Sequence, residues 1–145
     1  MPVDLIEAVN ARLTSCRLQA SWMVWVELAD RDDARVREAV AAAVGLEYGP
    51  YTGVAFESGT GKQFFRPAQG SKLGEGTEAI TMPARILTFS LPHDPDVLVK
   101  AIEAVRRAHS YEEPVIYVRD VWASRADDTR DRDNPNRWWN RGFEA

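Results

Sequence analysis

The chain has 145 residues, 45% hydrophobic and 28% charged, with a formal net charge of −4. That is the size and composition of one globular domain, neither disordered nor membranous. The acidic balance, with basic residues interleaved among Asp and Glu, excludes the basic stripe of a nucleic-acid binder.

No apolar run approaches the ~18 residues of a membrane-spanning helix. Met1-Pro2-Val3-Asp4 lacks the basic and apolar regions of a secretory signal. Cys16 is the only cysteine, so neither an intrachain disulfide nor a cysteine-based zinc site is available. A cytoplasmic location is the expectation.

Val3, Leu5, Ile6, Val9 and Leu13 recur at helical spacing and predict a short amphipathic arm over residues 1–20. Trp22-Met-Val-Trp-Val-Glu-Leu28 reads as a strand with Trp22, Val24, Val26 and Leu28 on one face. Asp30 is placed to cap the next helix, with Asp33 in its first turn. Val36, Val40, Ala43 and Val44 form that helix's buried stripe and Gly45 its stop. After a turn at Gly49-Pro50, Thr52, Val54 and Phe56 alternate as in a half-buried strand. Ser58-Gly-Thr-Gly61 is short enough to close a hairpin onto Lys62-Gln-Phe-Phe-Arg66.

Residues 67–76, rich in Gly, Ser and Pro, form an irregular connection. A further extended stretch runs from Thr77 to Leu91, with a bulge or edge position expected near Pro83. Asp94-Pro95 is the clearest helix start, a capping side chain followed by proline at the first helical position. Val97, Leu98, Ala101, Ile102 and Val105 make its buried face, and Pro114 stops it soon after His109. Residues 115–122 form the last strand. The Asp- and Arg-dense run from Ala126 to Arg137 reads as a solvated loop, whereas Trp138-Trp139 should dock on this domain or on a neighbouring subunit.

The order β-α-β-β-α-β predicts an α+β, ferredoxin-like sandwich over residues 21–123, with a charged tail over 124–145. Two helices cover one sheet face. Met23, Trp25 and Ala55 fall on the other, and an exposed apolar sheet face implies an oligomer.

Gly59-Thr-Gly-Lys62 lacks the spacing and the Ser/Thr of a phosphate loop and stands in a hairpin context, so it reads as a turn. With only His93 and His109 available and no Gly-x-Ser-x-Gly elbow, no activated nucleophile is visible. His93, just before a helix cap, is expected to be a solvated surface histidine. His109-Ser-Tyr-Glu-Glu-Pro114 is the one compact functional cluster. An imidazole and two carboxylates in one turn suit a divalent metal or a polar ligand. A helix-terminal His with Glu bonded to turn amides explains the same residues structurally.

His109-Ser-Tyr-Glu-Glu-Pro114, leading into Val115-Ile-Tyr-Val118, resembles the His-x-Tyr-Glu signature of CutA proteins and of YqfO-type domains, the PII-like insert of Nif-like proteins. Gly49-Pro-Tyr-x-x-Val54-x-Phe56 and Gly59-Thr-Gly-x-x-Phe-Phe-Arg-Pro67-x-x-Gly70 are similar to the insert's own pattern. So are the Gly74-x-Gly76 stretch and Ala84-Arg-Ile86. The resemblance runs from Trp22 to Trp122. It implies a PII/CutA-like fold and a trimer, and it does not imply catalysis, because the metal ligands of full-length relatives lie in a flanking domain. The expectation is a PII/CutA-like binding module holding a small polar ligand or divalent cation in a cleft between subunits. His109, Glu112 and Glu113 are the candidate metal or ligand residues, with Tyr111 and Arg66 beside them. Arg66 is included as a bidentate anion ligand. A scaffold without ligand and a hydrolase acting across a subunit interface are the competing expectations.

Overall fold

The computed structural model describes residues 2–32 and 34–141. Helix α1 spans Val3–Asn10, and strand β1 spans Cys16–Ala29. A 3-10 turn at Asp30–Asp32 leads into helix α2, Arg35–Val44. Strands β2 (Phe56–Glu57), β3 (Gly61–Phe65) and β4 (Ile80–Pro92) follow, then helix α3 (Pro95–Ala108) and strand β5 (Ile116–Ala126). The described strands form one antiparallel sheet in the order β2-β4-β1-β5, with β3 also on β4. Helices α2 and α3 lie against each other on one side. This is the expected ferredoxin-like α+β sandwich. β1 and β5 reach beyond the expected 21–123 boundaries, pairing Cys16 with Ala126.

β1 has the expected phase. Val24, Val26 and Leu28 are completely buried and meet Leu87, Phe89 and Leu91 of β4, Val36 and Val40 of α2, and Ala101 and Val105 of α3. Burying this apolar set is what holds the helices to the sheet, each fully buried Val or Leu contributing about 1.5–3 kcal/mol. α3 starts as expected: the Asp94 side chain accepts from Asp96 N–H at 2.9 Å, with Pro95 at the first position.

Three local expectations are corrected. Asp30 does not cap α2, whose cap position is Ala34 without a side-chain bond; Asp30 pairs instead with Arg85 at 3.4 Å. Asp33 lies outside the described residues. Ala43 is exposed, because α2 turns its narrow Val36–Val40 stripe inward. Ala55 packs against the core rather than on the open face.

The hairpin at Ser58–Gly61 does not form either. β2 and β3 both run antiparallel to β4 and are two pieces of one edge strand. Glu57 faces Leu87 and Gly61 faces Ala84, so four steps on one strand oppose three on the other. That one-residue excess is a β-bulge. Ser58 stabilises it, its N–H donating to Ile86 O and its Oγ accepting from Ile86 N–H, both at 2.8 Å. The bulge expected near Pro83 therefore sits across the ladder, in the partner strand.

The tail is not a solvated loop. Arg130 donates to the carbonyls of Asn10 (2.6 Å) and Leu13, tying the tail to the turn after α1. Asp131 accepts from Arg137 at 2.8 Å and Asn134 at 3.1 Å, and Asn140 donates to Asp131 O at 2.7 Å. Trp138 and Trp139 are half-buried, edge to face at 5.9 Å. They dock on this domain. Trp138 lies over Gly49, which adopts φ +59° and where a Cβ would meet the indole nitrogen at 3.4 Å. No described helix is long and apolar enough to cross a membrane.

The sheet face away from the helices carries a cross-strand row of Phe56, Thr88, Trp25 and Tyr117. Phe56 is 68% exposed, Tyr117 59% and Trp25 37%.

Candidate ligand-binding cleft

β1 ends at one extremity of the sheet, beside β3 and the turn between α3 and β5. The long connection from Arg66 folds over this point, closed by Gly76 N–H to Pro67 O and Gly74 N–H to Ser71 O, both 3.0 Å. Between them lies a cleft of about 960 Å³. Arg66, Tyr111, Glu112 and Glu113 line it. Four of the five residues singled out from the sequence thus meet at one site.

His109 is the fifth and sits behind the wall. Its side chain is wholly buried at the end of α3. Nε2 lies 2.6 Å from Glu27 O, and Tyr111 N–H donates to Nδ1 at 3.1 Å. A ring nitrogen that accepts has no proton, so the ring is the tautomer protonated on Nε2, which donates to Glu27 O. Asp32 adds a second brace. Its buried carboxylate accepts from Arg35 at 2.7 Å and from Ser110 N–H at 3.2 Å. The other oxygen, Oδ2, has no hydrogen-bond partner among the described residues and stands 3.6 Å from His109 Nδ1.

Tyr111 leaves this brace and enters the cleft. Its hydroxyl donates to Gln63 Oε1 at 2.6 Å, and Gln63 Nε2 donates to Glu27 Oε2 at 2.8 Å. Burial, with the Asp32 carboxylate next, pushes the Tyr111 phenol above its ordinary range, so it keeps its proton. Glu112 accepts from Lys72 N–H with both oxygens, at 3.2 and 3.1 Å, and so ties the connection to the turn. Glu113 is exposed and paired with Arg106 at 3.0 Å, a bond that raises the Arg106 pKa.

His109, Glu112 and Glu113 do not converge. Among the described residues no three His, Cys, Asp or Glu side chains gather as a metal-ligand set. The reason is local: both imidazole nitrogens are committed, and the two carboxylates turn to different partners. The structural reading of the turn, weighed beside the ligand reading, accounts for His109.

Gln63 and Lys72 were missed. Gln63 is the polar side chain between Lys62 and Phe64 whose strand phase turns it toward Met82 and Tyr111, a signal the alternation carried. Lys72 had none, since nothing in a loop sequence tells which tip folds back. His93 is an exposed surface histidine, as expected. It stacks on Trp22 at 3.9 Å between centroids and bonds Asp120 at 2.7 Å.

No family model matches this chain, and no curated protein matches it. Solved structures do. A Bacillus cereus protein related to NIF3 superposes with a TM-score of 0.62 at 22% identity, over 84% of this chain and 32% of that one. The chain thus spans about a third of that relative's length. CutA1 from Oryza sativa matches at 12% identity and TM-score 0.50, over 72% of this chain and 82% of its own. The divalent ion tolerance protein CutA1 from Ehrlichia chaffeensis matches at 11% and 0.50, with the same coverages. At these identities the likeness is one of fold, and it is the CutA/PII-like fold that the sequence motifs imply.

Proposed function

We propose that this chain, built on the fold shared by CutA1 and part of a NIF3-related protein, is a non-catalytic, homo-oligomeric module that binds a small anion-bearing ligand in its cleft. One observation carries the reading. Among the described residues, neither the Arg66 guanidinium nor the Lys72 ammonium has a hydrogen-bond or ion-pair partner, yet both line the cleft. The other groups there are occupied: Glu112 by Lys72 N–H, Glu113 by Arg106, Asp30 by Arg85, Arg31 by Ser110 Oγ at 3.2 Å. Two unpaired cations on the wall of a concave site are what an arriving carboxylate or phosphate requires.

The oligomer rests on the Phe56–Trp25–Tyr117 row, an exposed apolar strip on the sheet face away from the helices, of the kind that marks an interface. A trimer is the expected assembly. The single Cys16 agrees with a cytoplasmic location.

Calorimetric titration of the purified protein with citrate and inorganic phosphate, on wild type and Arg66→Ala, tests the reading. Saturable heat that Arg66→Ala weakens about tenfold, the worth of one charge-assisted contact, is the expected result. Absence of heat with either anion overturns it. Titration with Mn²⁺ in parallel tests the divalent cation that His109, Glu112 and Glu113 were expected to hold; such an ion would have to displace the bonds to Glu27 O and Tyr111 N–H. Light scattering gives the mass, and a monomer at micromolar concentration removes the oligomer from the proposal.

A further inference from the structure

The hydrogen-bond chain under the cleft has a direction, and that direction selects a ligand. Glu27 Oε2 is a carboxylate oxygen and accepts, so the Gln63 group 2.8 Å away must be its amide NH₂. Gln63 is thereby fixed with its carbonyl oxygen toward Tyr111, at 2.6 Å. That oxygen also only accepts, so the phenol spends its single proton on Gln63. The alternative acceptor, Met82 Sδ at 3.6 Å, is a far weaker competitor. What remains of Tyr111 Oη for the cleft is lone pairs. A bound molecule must bring an N–H or O–H donor to this spot, since an oxyanion would meet another acceptor.

The charges around the wall make the same demand. Asp30, Glu112 and Glu113 face the cleft together with Arg31, Arg66 and Lys72, three carboxylates and three cations. The carboxylates favour a ligand that also carries a positive group, and the cations one that also carries a negative group. Phe65, Leu73 and Met82 add an apolar stretch of wall.

We propose that the ligand is a small zwitterion with an apolar body, seating its carboxylate or phosphate on Arg66 and Lys72 and its ammonium on Tyr111 Oη. Gln63 is the positioning residue that fixes this polarity, acting through Tyr111. The inference rests on the binding role proposed above and specifies its ligand class.

The test compares L-phenylalanine with 3-phenylpropionate, which lacks the ammonium, with phenethylamine, which lacks the carboxylate, and with the N,N,N-trimethyl betaine of phenylalanine, which has the charge but no donor. Calorimetry on the full-length protein should show phenylalanine binding about tenfold or more tighter than each of the three, the worth of one charge-assisted hydrogen bond. Tyr111→Phe should reduce the preference over 3-phenylpropionate to less than about threefold while leaving 3-phenylpropionate itself unchanged. Gln63→Leu releases the phenol proton, and 3-phenylpropionate should then bind more tightly than to wild type, an inversion that a merely structural Gln63 would not produce. Equal affinity for phenylalanine and 3-phenylpropionate in wild type overturns the proposal, as does a preference that survives both substitutions. If acids bind through Arg66 without regard to the ammonium, only the zwitterion is lost. If neither the four probes nor citrate and phosphate bind, the binding role falls with it.

Discussion

Two ends of this molecule are dense in charge, and they use it in opposite ways. At the tail end, Arg130 spends its guanidinium on backbone carbonyls after α1 and on Asp127 at 3.0 Å, and Asp131 is bonded to Arg137 and Asn134. At the cleft end, the back wall is bonded through His109, Asp32 Oδ1, Gln63 and Glu27, yet Arg66 and Lys72 on its lining face no partner among the described residues. Charge density alone therefore does not mark a site. The mark is a polar group held in a concavity with nothing to bind.

The largest effect should come from the brace behind the cleft. His109→Ala removes a fully buried ring, opens a cavity and orphans Glu27 O and Tyr111 N–H. Loss of about 2–4 kcal/mol is expected in urea unfolding, combining the cavity with two unmet hydrogen bonds. Anion binding should fall with it, because the turn that carries Tyr111 and Glu112 is no longer fixed. A variant as stable as wild type would mean that the brace is redundant.

Arg130→Ala should cost about 1.5–3 kcal/mol, the range for bonds from a charged donor, and should leave anion affinity within about twofold. Arg66→Ala should do the reverse, changing stability by less than about 0.5 kcal/mol, as an exposed substitution without partners does, while weakening anion binding. If the two variants were interchangeable in their effects, the contrast between the ends would be without content.

How much of this could be read in the sequence follows the range of the forces involved. The core face of β1, the Asp94-Pro95 start of α3 and the stop at His109 were readable, because alternation, capping and proline act within a few residues. The bulge at Ser58 was not, since a Gly-rich tetrapeptide suits a reversal as well as a bulge, and only the register against β4 decides between them. Arg66, Tyr111, Glu112 and Glu113 could be named as neighbours. That His109 turns inward to Glu27 O, 82 positions away in the chain, depends on packing that no local pattern records. The tail failed for the same reason: a run of Asp and Arg looks solvated until Asn10 and Leu13 are brought beneath it.

The smallest effects, and the most discriminating, come from pH. At the tail, Asp131 is held below the usual carboxylate range by its hydrogen bond from Arg137, and Asp127 by its bond from Thr129. A depressed carboxyl contributes stability above its unfolded value of about 3.9 and loses it as pH falls through the lower folded value. Acid should therefore loosen the tail first, seen as a change in Trp138 and Trp139 fluorescence that Asp131→Asn shifts to higher pH. At the cleft the sign is opposite. The raised Tyr111 phenol contributes its stability below the unfolded value of about 10 and loses it as pH climbs through the higher folded value. Phenolate absorbance should show a late ionisation in alkali that is absent in Tyr111→Phe, with the tail fluorescence unmoved over that range. Both ends yielding together at one pH would show that they are not independent, because a brace at one end and a latch at the other would then be failing as a single unit.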